Sequence, residues 1–472
     1  MFGKLLKLGS ILFLTFILTG FGSCSLLNVS QLNPDNPVTI EFWHYYNGTQ
    51  QAELDKLIAT YNETIGARQG VNAVAVSRGN VADLTTAVDT AAAIGAEALP
   101  DIIAAYPGTV CELAGQGLLV DLSRYMTEEE KAAFKPEFLA EGRFPGDDKL
   151  YVLPIAKSTE VIALNLTAWR EFAADNPRFT DPAVALATWE SIAQAAEAYR
   201  IWSGGHGMIG FDSLANYLIV GSQQLGIDLF AESEGQGTVN LDRNVMRKLW
   251  DIYYVNTVIG GFAEVGDYRA DDLANGDLIA GILSTASGSW LPTQFELIIL
   301  PYPTFEGMPE ICVQQGAGLT ITKSDSQHET AAASLLSWLV RPEQNVNFAV
   351  SSSYLPVTEL ALQSQLLRDS LSLLVSGSPD QINTANCLTA FLGQMTSHKL
   401  YFPASFSGSG DIRDLLEKAL KDTAQAARKE WLNELTTNTN SDNLQSKYIN
   451  DVAFEAWYSS MLIETGRILD QK

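Results

Sequence analysis

The order of apolar segments in the first hundred or so residues most constrains what this chain can fold into. Strand-like segments at residues 38–43, 71–76 and 101–105 alternate with segments at 50–61 and 81–94 that favour a helix. In residues 50–61 the apolar side chains recur at the spacing of one helix face. A β-α-β-α-β series predicts parallel strands covered by helices. We therefore expect an α/β fold with mixed, mostly parallel sheets and helices on both faces.

The pattern continues beyond residue 150 and ends in helices. Further strand-like segments lie at residues 150–155, 160–165, 208–211, 278–283, 295–300 and 317–322. Helical patterns lie at residues 188–202, 213–225, 242–255, 328–340, 342–350, 411–435 and 447–469. No repeat of 20–50 residues is visible, so a solenoid or propeller is not indicated.

The N-terminus has the pattern of an export signal. Lys4 and Lys7 precede an apolar run of about 14 residues, whereas spanning a bilayer takes about 20. We expect residues 1–23 to be a signal peptide, followed by a tether over residues 24–37. Cys24 resembles the lipidated cysteine of a bacterial lipobox, although Phe21 stands at the position where leucine is usual. The alternative is a plain secretory signal that is cleaved nearby.

The charge of the chain excludes several classes of partner. With 55 Asp and Glu against 30 Lys and Arg, the formal net charge is −25. A nucleic-acid partner would need a basic surface. Adhesion to anionic lipid would need a polybasic patch, so we expect a lipid anchor to be the only membrane contact.

The sequence contains no recognised catalytic, cofactor or metal motif. The letters of GxGxxG occur at residues 205–210, but a helix precedes them and a strand follows, the reverse of a dinucleotide loop. Cys111, Cys312, Cys387 and the four histidines show no ligand spacing, and at most one disulfide could form among these three cysteines. We therefore expect no enzyme activity, no cofactor and no metal. A secreted hydrolase acting on carbohydrate is the lesser alternative.

Aromatic and hydroxyl residues recur just beyond the predicted strand ends. In open α/β sheets, ligands bind at the carboxyl ends of the strands. Aromatic faces suit the C–H face of a sugar ring, while hydroxyl groups satisfy its oxygens. The alternative is that these aromatic residues only close the core. The residues expected to bind ligand on this argument are Trp43, His44, Tyr45, Tyr106, Ser158, Thr159, Ser287 and Trp290.

Nine short segments follow one another along the chain in an order that is informative. They are Phe42-Trp43-His44, Leu99-Pro100-Asp101, Gly117-Leu118-Leu119, Tyr151-Val152-Leu153-Pro154, Ser158-Thr159, Asn275-Gly276-Asp277, Ala286-Ser287-Gly288-Ser289, Gly316-Ala317-Gly318-Leu319 and Tyr354-Leu355-Pro356. In this order they resemble the maltose-like and glycerol-3-phosphate-like extracellular solute-binding proteins of ABC importers. The likeness runs from about residue 38 to at least residue 420.

The resemblance implies a type II periplasmic-binding-protein fold, with two lobes that close by hinge motion. It places residues 38–158 and 288–323 in the first lobe, and residues 159–287 and 324–472 in the second. It also implies a monomer that delivers a small molecule to the transmembrane subunits of a permease. A sensor protein could read the same closed surface.

The resemblance adds Gly316 and Tyr354 to the expected ligand-binding residues. The glycerol-3-phosphate binders match at Ser158, Gly316 and Tyr354 but depart at Val81, Pro107 and Ser405. An arginine that would hold the phosphate aligns near Ser405, and a buried phosphate without such a cation is poorly compensated. We therefore expect a neutral sugar or oligosaccharide, with a glycerol phosphate or glycerophosphodiester as the alternative. Arg413 is expected to face solvent on a helix, and Lys157 to lie on the surface.

Overall fold

The computed structural model describes residues 32–233, 236–436 and 441–471. The expected signal peptide, Cys24 and the first part of the tether lie outside these residues. Across the described residues, none of the helices combines the length and the apolar character that crossing a membrane requires.

The strands and helices alternate along much of the chain. The strands are β1 (Val38–His44), β2 (Val71–Ser77), β3 (Ile102–Ala105), β4 (Leu153–Pro154), β5 (Glu160–Asn165), β6 (Ile209–Phe211), β7 (Phe230–Ser233), β8 (Gln236–Val239), β9 (Ala280–Ser284), β10 (Leu297–Pro301), β11 (Ile311–Val313), β12 (Gly318–Ile321) and β13 (Lys399–Tyr401). The first helices are α1 (Gly48–Tyr61), α2 (Ala67–Gln69), α3 (Val81–Ile94), α4 (Pro107–Gly115), α5 (Glu128–Ala132), α6 (Pro136–Ala140), α7 (Leu166–Asp175), α8 (Pro182–Ala185), α9 (Trp189–Trp202) and α10 (Leu214–Gln224). The later helices are α11 (Arg243–Ile259), α12 (Arg269–Asn275), α13 (Ser326–Leu339), α14 (Pro342–Ser351), α15 (Glu359–Leu362), α16 (Gln365–Val375), α17 (Pro379–Ser397), α18 (Ser409–Leu435), α19 (Ser441–Tyr448) and α20 (Asp451–Asp470).

The first lobe is built on a sheet in the order β2-β1-β3-β12-β4. Strands β1, β2 and β3 are parallel, as the β-α-β-α-β series predicts, while β12 runs antiparallel to both β3 and β4. Val38, Ile40 and Phe42 alternate into the core along β1. Helix α1 buries one face against this core because its apolar residues recur at helical spacing.

The second lobe is built on a sheet in the order β10-β5-β9-β6. Strand β5 pairs antiparallel with β10 and β9, and β6 runs parallel to β9. Two further pairs, β11 with β13 and β7 with β8, lie outside these sheets. The α/β class, the two lobes and the mixed sheets agree with the expectation from the sequence. The expectation that the sheets are mostly parallel was wrong, because β12, β5 and their neighbours pair antiparallel.

The lobe boundaries differ from those expected from the sequence. Residues 288–323 were expected in the first lobe, but β10 pairs with β5 in the second. Helices α13 and α14 were expected in the second lobe, but they bury their apolar faces in the core of the first. Strand pairing and these apolar faces decide where each segment lies. Helices α18 and α20 do pack in the second lobe, as expected.

Candidate functional site: a cleft between the two lobes

The segments that join the lobes form the base of the candidate site. The chain passes from β4 to β5 through residues 155–159, and it returns from β11 to β12 through residues 314–317. Ser158 and Gln315 pair backbone to backbone, with N···O distances of 3.0 and 3.1 Å. Gly316 has φ +112°, and a Cβ there would lie 2.7 Å from the Ala156 carbonyl oxygen, so the close approach of these segments requires glycine.

Hydroxyl groups along these segments connect the two lobes. Ser158 is buried, and its Oγ accepts a hydrogen bond from Ser284 Oγ at 3.3 Å. Thr159 Oγ1 donates to the Val313 carbonyl at 2.6 Å, so this hydroxyl already has a partner within the protein. Ser287 is half-buried in the short 3₁₀ segment that follows β9. Ser158 and Ser287 are therefore better placed than Thr159 to meet a ligand.

Lys157 is part of a buried ion pair at the same base. Its Nζ lies 2.5 Å from Glu141 Oε2 and 3.1 Å from the Gly316 carbonyl oxygen. Gln314 Nε2 donates to the same Glu141 oxygen at 2.6 Å. The expectation of a surface lysine was wrong, because the ammonium group satisfies a buried carboxylate.

The wall contributed by the first lobe is a cluster of tyrosines. Tyr45 and Tyr106 stack with ring centroids 6.0 Å apart, and Tyr46 lies 4.7 Å from Tyr45. Tyr354 interacts with this cluster through its hydroxyl. Burial raises the pKa of each of these four hydroxyls above its ordinary value. They therefore remain neutral hydrogen-bonding groups on an aromatic wall.

Trp43 and His44 are occupied in packing within the first lobe. The guanidinium of Arg78 lies 3.8 Å from the centroid of the Trp43 ring, and Trp43 Nε1 donates to Glu41 Oε1 at 2.6 Å. His44 is fully buried against Phe42. Burial lowers the pKa of His44, which is therefore neutral at pH 7. They are the last two residues of β1, and the contacts of both side chains lie within the first lobe, so their binding of a ligand stays a prediction.

Trp290 is exposed at the opening of the site. It is 60 % exposed, although two carbon atoms of its ring would lie 3.4 Å from a Cβ at Gly48. Gly48 begins α1 of the first lobe, whereas Trp290 follows β9 of the second. The indole thus offers an open face where the two lobes meet.

The loop before Tyr354 holds a strained backbone. Ser353 has φ +61°. Among the residues that the structure describes, it is the only one other than glycine with a positive φ. The preceding carbonyl, of Ser352, accepts a hydrogen bond from Gln50 Nε2 at 3.3 Å. Strain of this kind persists where the surroundings enforce it, and it is common at ligand sites.

The wall contributed by the second lobe is polar and charged, and sequence reasoning missed most of it. Glu160, at the start of β5, is 2 % exposed, and its Oε1 accepts from Asn216 Nδ2 at 2.7 Å. Arg413 Nη2 donates to Asn216 Oδ1 at 2.5 Å. The expectation that Arg413 faces solvent was wrong, because α18 directs this half-buried side chain toward Asn216.

Burial alters the protonation of the carboxylates on this wall. It raises the pKa of Glu160 to about 8 and that of Asp212 to about 6. Asn216 and Arg413 oppose the shift at Glu160, but desolvation outweighs them. Glu417 Oε2 accepts from Ser213 Oγ at 3.0 Å and from the Ala215 amide at 2.8 Å. The wall therefore combines the guanidinium groups of Arg413 and Arg269 with carboxyl groups, of which Glu160 holds its proton more strongly than Asp212.

One signal in the sequence could have indicated part of this second wall. Glu160 directly follows Ser158-Thr159, at the carboxyl edge where ligands are expected. It could therefore have been included among the expected ligand-binding residues. Asp212 follows β6 in the same way. Arg413 lies nearly 200 residues from Asn216, and no local pattern joins them.

The described residues hold no cluster of His, Cys, Asp and Glu that could bind a metal ion. Cys111, Cys312 and Cys387 are free thiols. Burial raises the pKa of each to about 12. None of the three is therefore an activated nucleophile.

Two α/β lobes joined by crossing segments, with a polar and aromatic cleft between them, define a protein that captures a small solute. The model of the bacterial extracellular solute-binding protein family matches residues 56–370. The chain belongs to this family.

Individual relatives agree with this membership. The chain is 24 % identical over 350 residues to the sn-glycerol-3-phosphate-binding periplasmic protein UgpB of Salmonella typhimurium, covering 69 % of this chain and 75 % of that protein. UgpB from Mycobacterium tuberculosis, solved with glycerophosphocholine, superposes with a TM-score of 0.69 at 18 % identity over 92 % of this chain and 99 % of that one. The cyclic alpha-maltosyl-1,6-maltose binding protein of Arthrobacter globiformis superposes with a TM-score of 0.66 at 18 % identity. The match covers 93 % of this chain and 100 % of that one. At such identities the solved structures show the fold alone.

Proposed function

We propose that this chain is the substrate-binding component of an ABC importer, and that it captures a sugar or oligosaccharide between its lobes. It would deliver this ligand to the transmembrane subunits of the permease, as a monomer held at the membrane by a lipid on Cys24. The proposal includes no catalysis and no cofactor.

The observation that carries the sugar proposal is the tyrosine cluster together with the open face of Trp290. Aromatic faces pack against the C–H faces of sugar rings, and neutral tyrosine hydroxyls exchange hydrogen bonds with sugar hydroxyls. Ser158, Ser287 and Gly316 supply further small or polar groups at the base of the cleft. The names of the maltose-type structural relatives are consistent with such a ligand.

Arg413 favours a second candidate, a glycerol phosphate or glycerophosphodiester. The sequence disfavours a phosphoester because no cation aligns at Ser405. Arg413 lies on the first turns of α18, just beyond that position, and interacts with Tyr106 of the opposite wall. A guanidinium there could pair with a phosphate. The relatives named UgpB, one called a glycerol-3-phosphate-binding protein and one solved with glycerophosphocholine, point the same way.

A thermal-melting panel separates these candidates. A ligand that binds only the folded protein stabilises it by about 2.7 kcal/mol at a hundredfold excess over its dissociation constant. We expect maltose, maltotriose or another neutral sugar to raise the melting temperature, while amino acids leave it unchanged. A rise with sn-glycerol-3-phosphate or glycerophosphocholine alone would replace the sugar proposal with the second candidate. Release of reducing sugar from an oligosaccharide ligand would contradict the absence of catalysis.

A further inference from the structure

Beside the cleft, a carboxylate of the first lobe contacts the start of the longest helix described in the second. Glu112 lies on α4, whose Val110 and Leu113 are in the core of the first lobe. Its Oε1 accepts from the Gly408 amide at 2.8 Å, and its carboxylate accepts from Ser407 Oγ at 3.1 and 3.2 Å. Gly408 is the N-cap of α18, which packs in the core of the second lobe.

Gly408, the N-cap residue of α18, has no side chain, and its own amide donates to the Glu112 carboxylate. In a capping box, a glutamate three residues into the helix accepts from the N-cap amide. Here Glu112 supplies that carboxylate from the other lobe. The contact is charge-assisted, and a negative charge at a helix N-terminus is favourable.

Two further contacts bring the same surfaces together. Cys111 Sγ lies 3.6 Å from the Ser405 carbonyl oxygen. A Cβ at Gly108 would lie 3.7 Å from Gly410 Cα, so the starts of α4 and α18 approach closely. Helix α4 begins immediately after Tyr106, and α18 carries Arg413. This contact therefore joins the two walls of the candidate site.

We propose that Glu112 is a positioning residue that latches the two lobes in the closed arrangement by capping α18 across the cleft. The latch extends the proposed function, because a closed cleft retains its ligand. Opening the lobes would separate Glu112 from Ser407 and Gly408 and leave the N-terminus of α18 without this cap. Removing the carboxylate should then shift the protein toward the open arrangement and speed ligand release.

The native Cys111 allows the closed arrangement to be measured without any ligand. In a Ser405→Cys variant of the full chain, mild oxidation should join positions 111 and 405, as read by peptide mapping. We expect Glu112→Ala to slow this reaction about tenfold, which corresponds to about 1.4 kcal/mol. Glu112→Gln and Ser407→Ala should each slow it about threefold. The matched control is Glu197→Gln, an exposed position on α9, which should leave the rate unchanged.

Thiol reactivity is controlled by measuring the alkylation of Cys111 in each variant. Burial raises the pKa of Cys111 to about 12, and the charge of Glu112 contributes to that rise. Removing Glu112 would therefore make the Cys111 thiol more reactive. A slower crosslinking rate cannot come from this change in thiol reactivity. Melting temperatures matched to the Ser405→Cys parent show that each variant is folded.

Two results would overturn the latch: no crosslink in the Ser405→Cys parent, or equal normalised rates in the Glu112→Ala and Glu197→Gln backgrounds. A failure of every sugar and glycerol phosphate to bind would count against the proposed function only, because the crosslinking is done without ligand.

Discussion

The two walls of the cleft differ in chemistry and in how the sequence builds them. The wall of the first lobe is aromatic and neutral, with Tyr45 and Tyr106 directly after strands β1 and β3. The wall of the second lobe is polar and carries the charge of Arg413, with Glu160, Asn216 and Arg413 taken from three distant segments. Residues at strand ends can be found from local pattern, whereas a network that joins distant segments becomes visible only in the folded chain.

The difference also suggests that the two walls contribute differently to ligand recognition. Neutral tyrosines offer stacking and hydrogen bonds to many polyols. Buried charged groups cost free energy to desolvate, and a ligand that satisfies them is recognised against one that does not. Specificity should therefore depend more on the second wall than on the first.

The largest expected effect concerns the buried ion pair between Lys157 and Glu141 at the base of the candidate site. Lys157→Met leaves Glu141 buried without its cation, which should destabilise the protein by about 3–5 kcal/mol. Urea unfolding measures the change. Lys149→Met is the matched control, since Lys149 is exposed in its pair with Asp147 and its loss should leave the free energy of unfolding nearly unchanged. If Lys157→Met/Glu141→Met were no more stable than Lys157→Met, the unpaired charge would not be the cause.

An intermediate effect is expected in the pH dependence of stability, from the charged wall. Burial raises the pKa of Glu160 to about 8, so in the folded protein this carboxyl keeps its proton over a range in which the unfolded chain has lost it. The contribution of Glu160 to the free energy of unfolding is therefore fully present below about pH 4.5. It is lost as the pH rises toward 8. Glu160→Gln cannot titrate and should reduce the fall in unfolding free energy between pH 5 and 8 by about 1–3 kcal/mol.

The measurement is urea unfolding of both proteins at several pH values. Asp212, whose pKa burial raises to about 6, remains in the variant and should still produce part of the fall. The exposed control Glu197→Gln should follow the parent curve. Parallel curves for the parent and Glu160→Gln would mean that Glu160 is ionised in the folded protein, and that the second wall carries this additional negative charge.

Helices and strands whose pattern lies within one stretch of sequence were predicted, whereas features that depend on distant partners were not. The segments expected at residues 160–165 and 81–94 coincide with β5 and α3, because their apolar spacing matches one element. Helix α17 was not predicted, since it buries Asn383, Thr384 and Gln394 along with apolar residues and so lacks a plain amphipathic stripe. The lobe boundary failed where β10 pairs with β5, because nothing near residue 297 indicates its partner.

The candidate site was predictable to a similar extent. The structure brings together Tyr45 and Tyr106, which were expected from their positions at strand ends, and Tyr354, which only the family resemblance indicated. It places Trp43 under Arg78, because a long side chain from the neighbouring strand end covers the indole. Burial of Lys157 depends on Glu141, which belongs to a separate helix-end segment. Partners of this kind are fixed by tertiary contacts and leave no trace in local spacing.

The smallest expected effect compares one side chain from each part of the cleft. If the ligand is a neutral sugar, Trp290→Ala should weaken its affinity about tenfold by removing a stacking face, and Arg413→Gln about threefold by removing polar contacts. Titration calorimetry with the sugar that gives the largest melting shift measures both. Trp202→Ala and Arg170→Gln serve as controls, because these exposed side chains lie on the outer helices of the second lobe and should leave affinity unchanged. A loss in Arg413→Gln that exceeds the loss in Trp290→Ala would mean that the charged wall dominates recognition, which is the result expected for a phosphoester ligand.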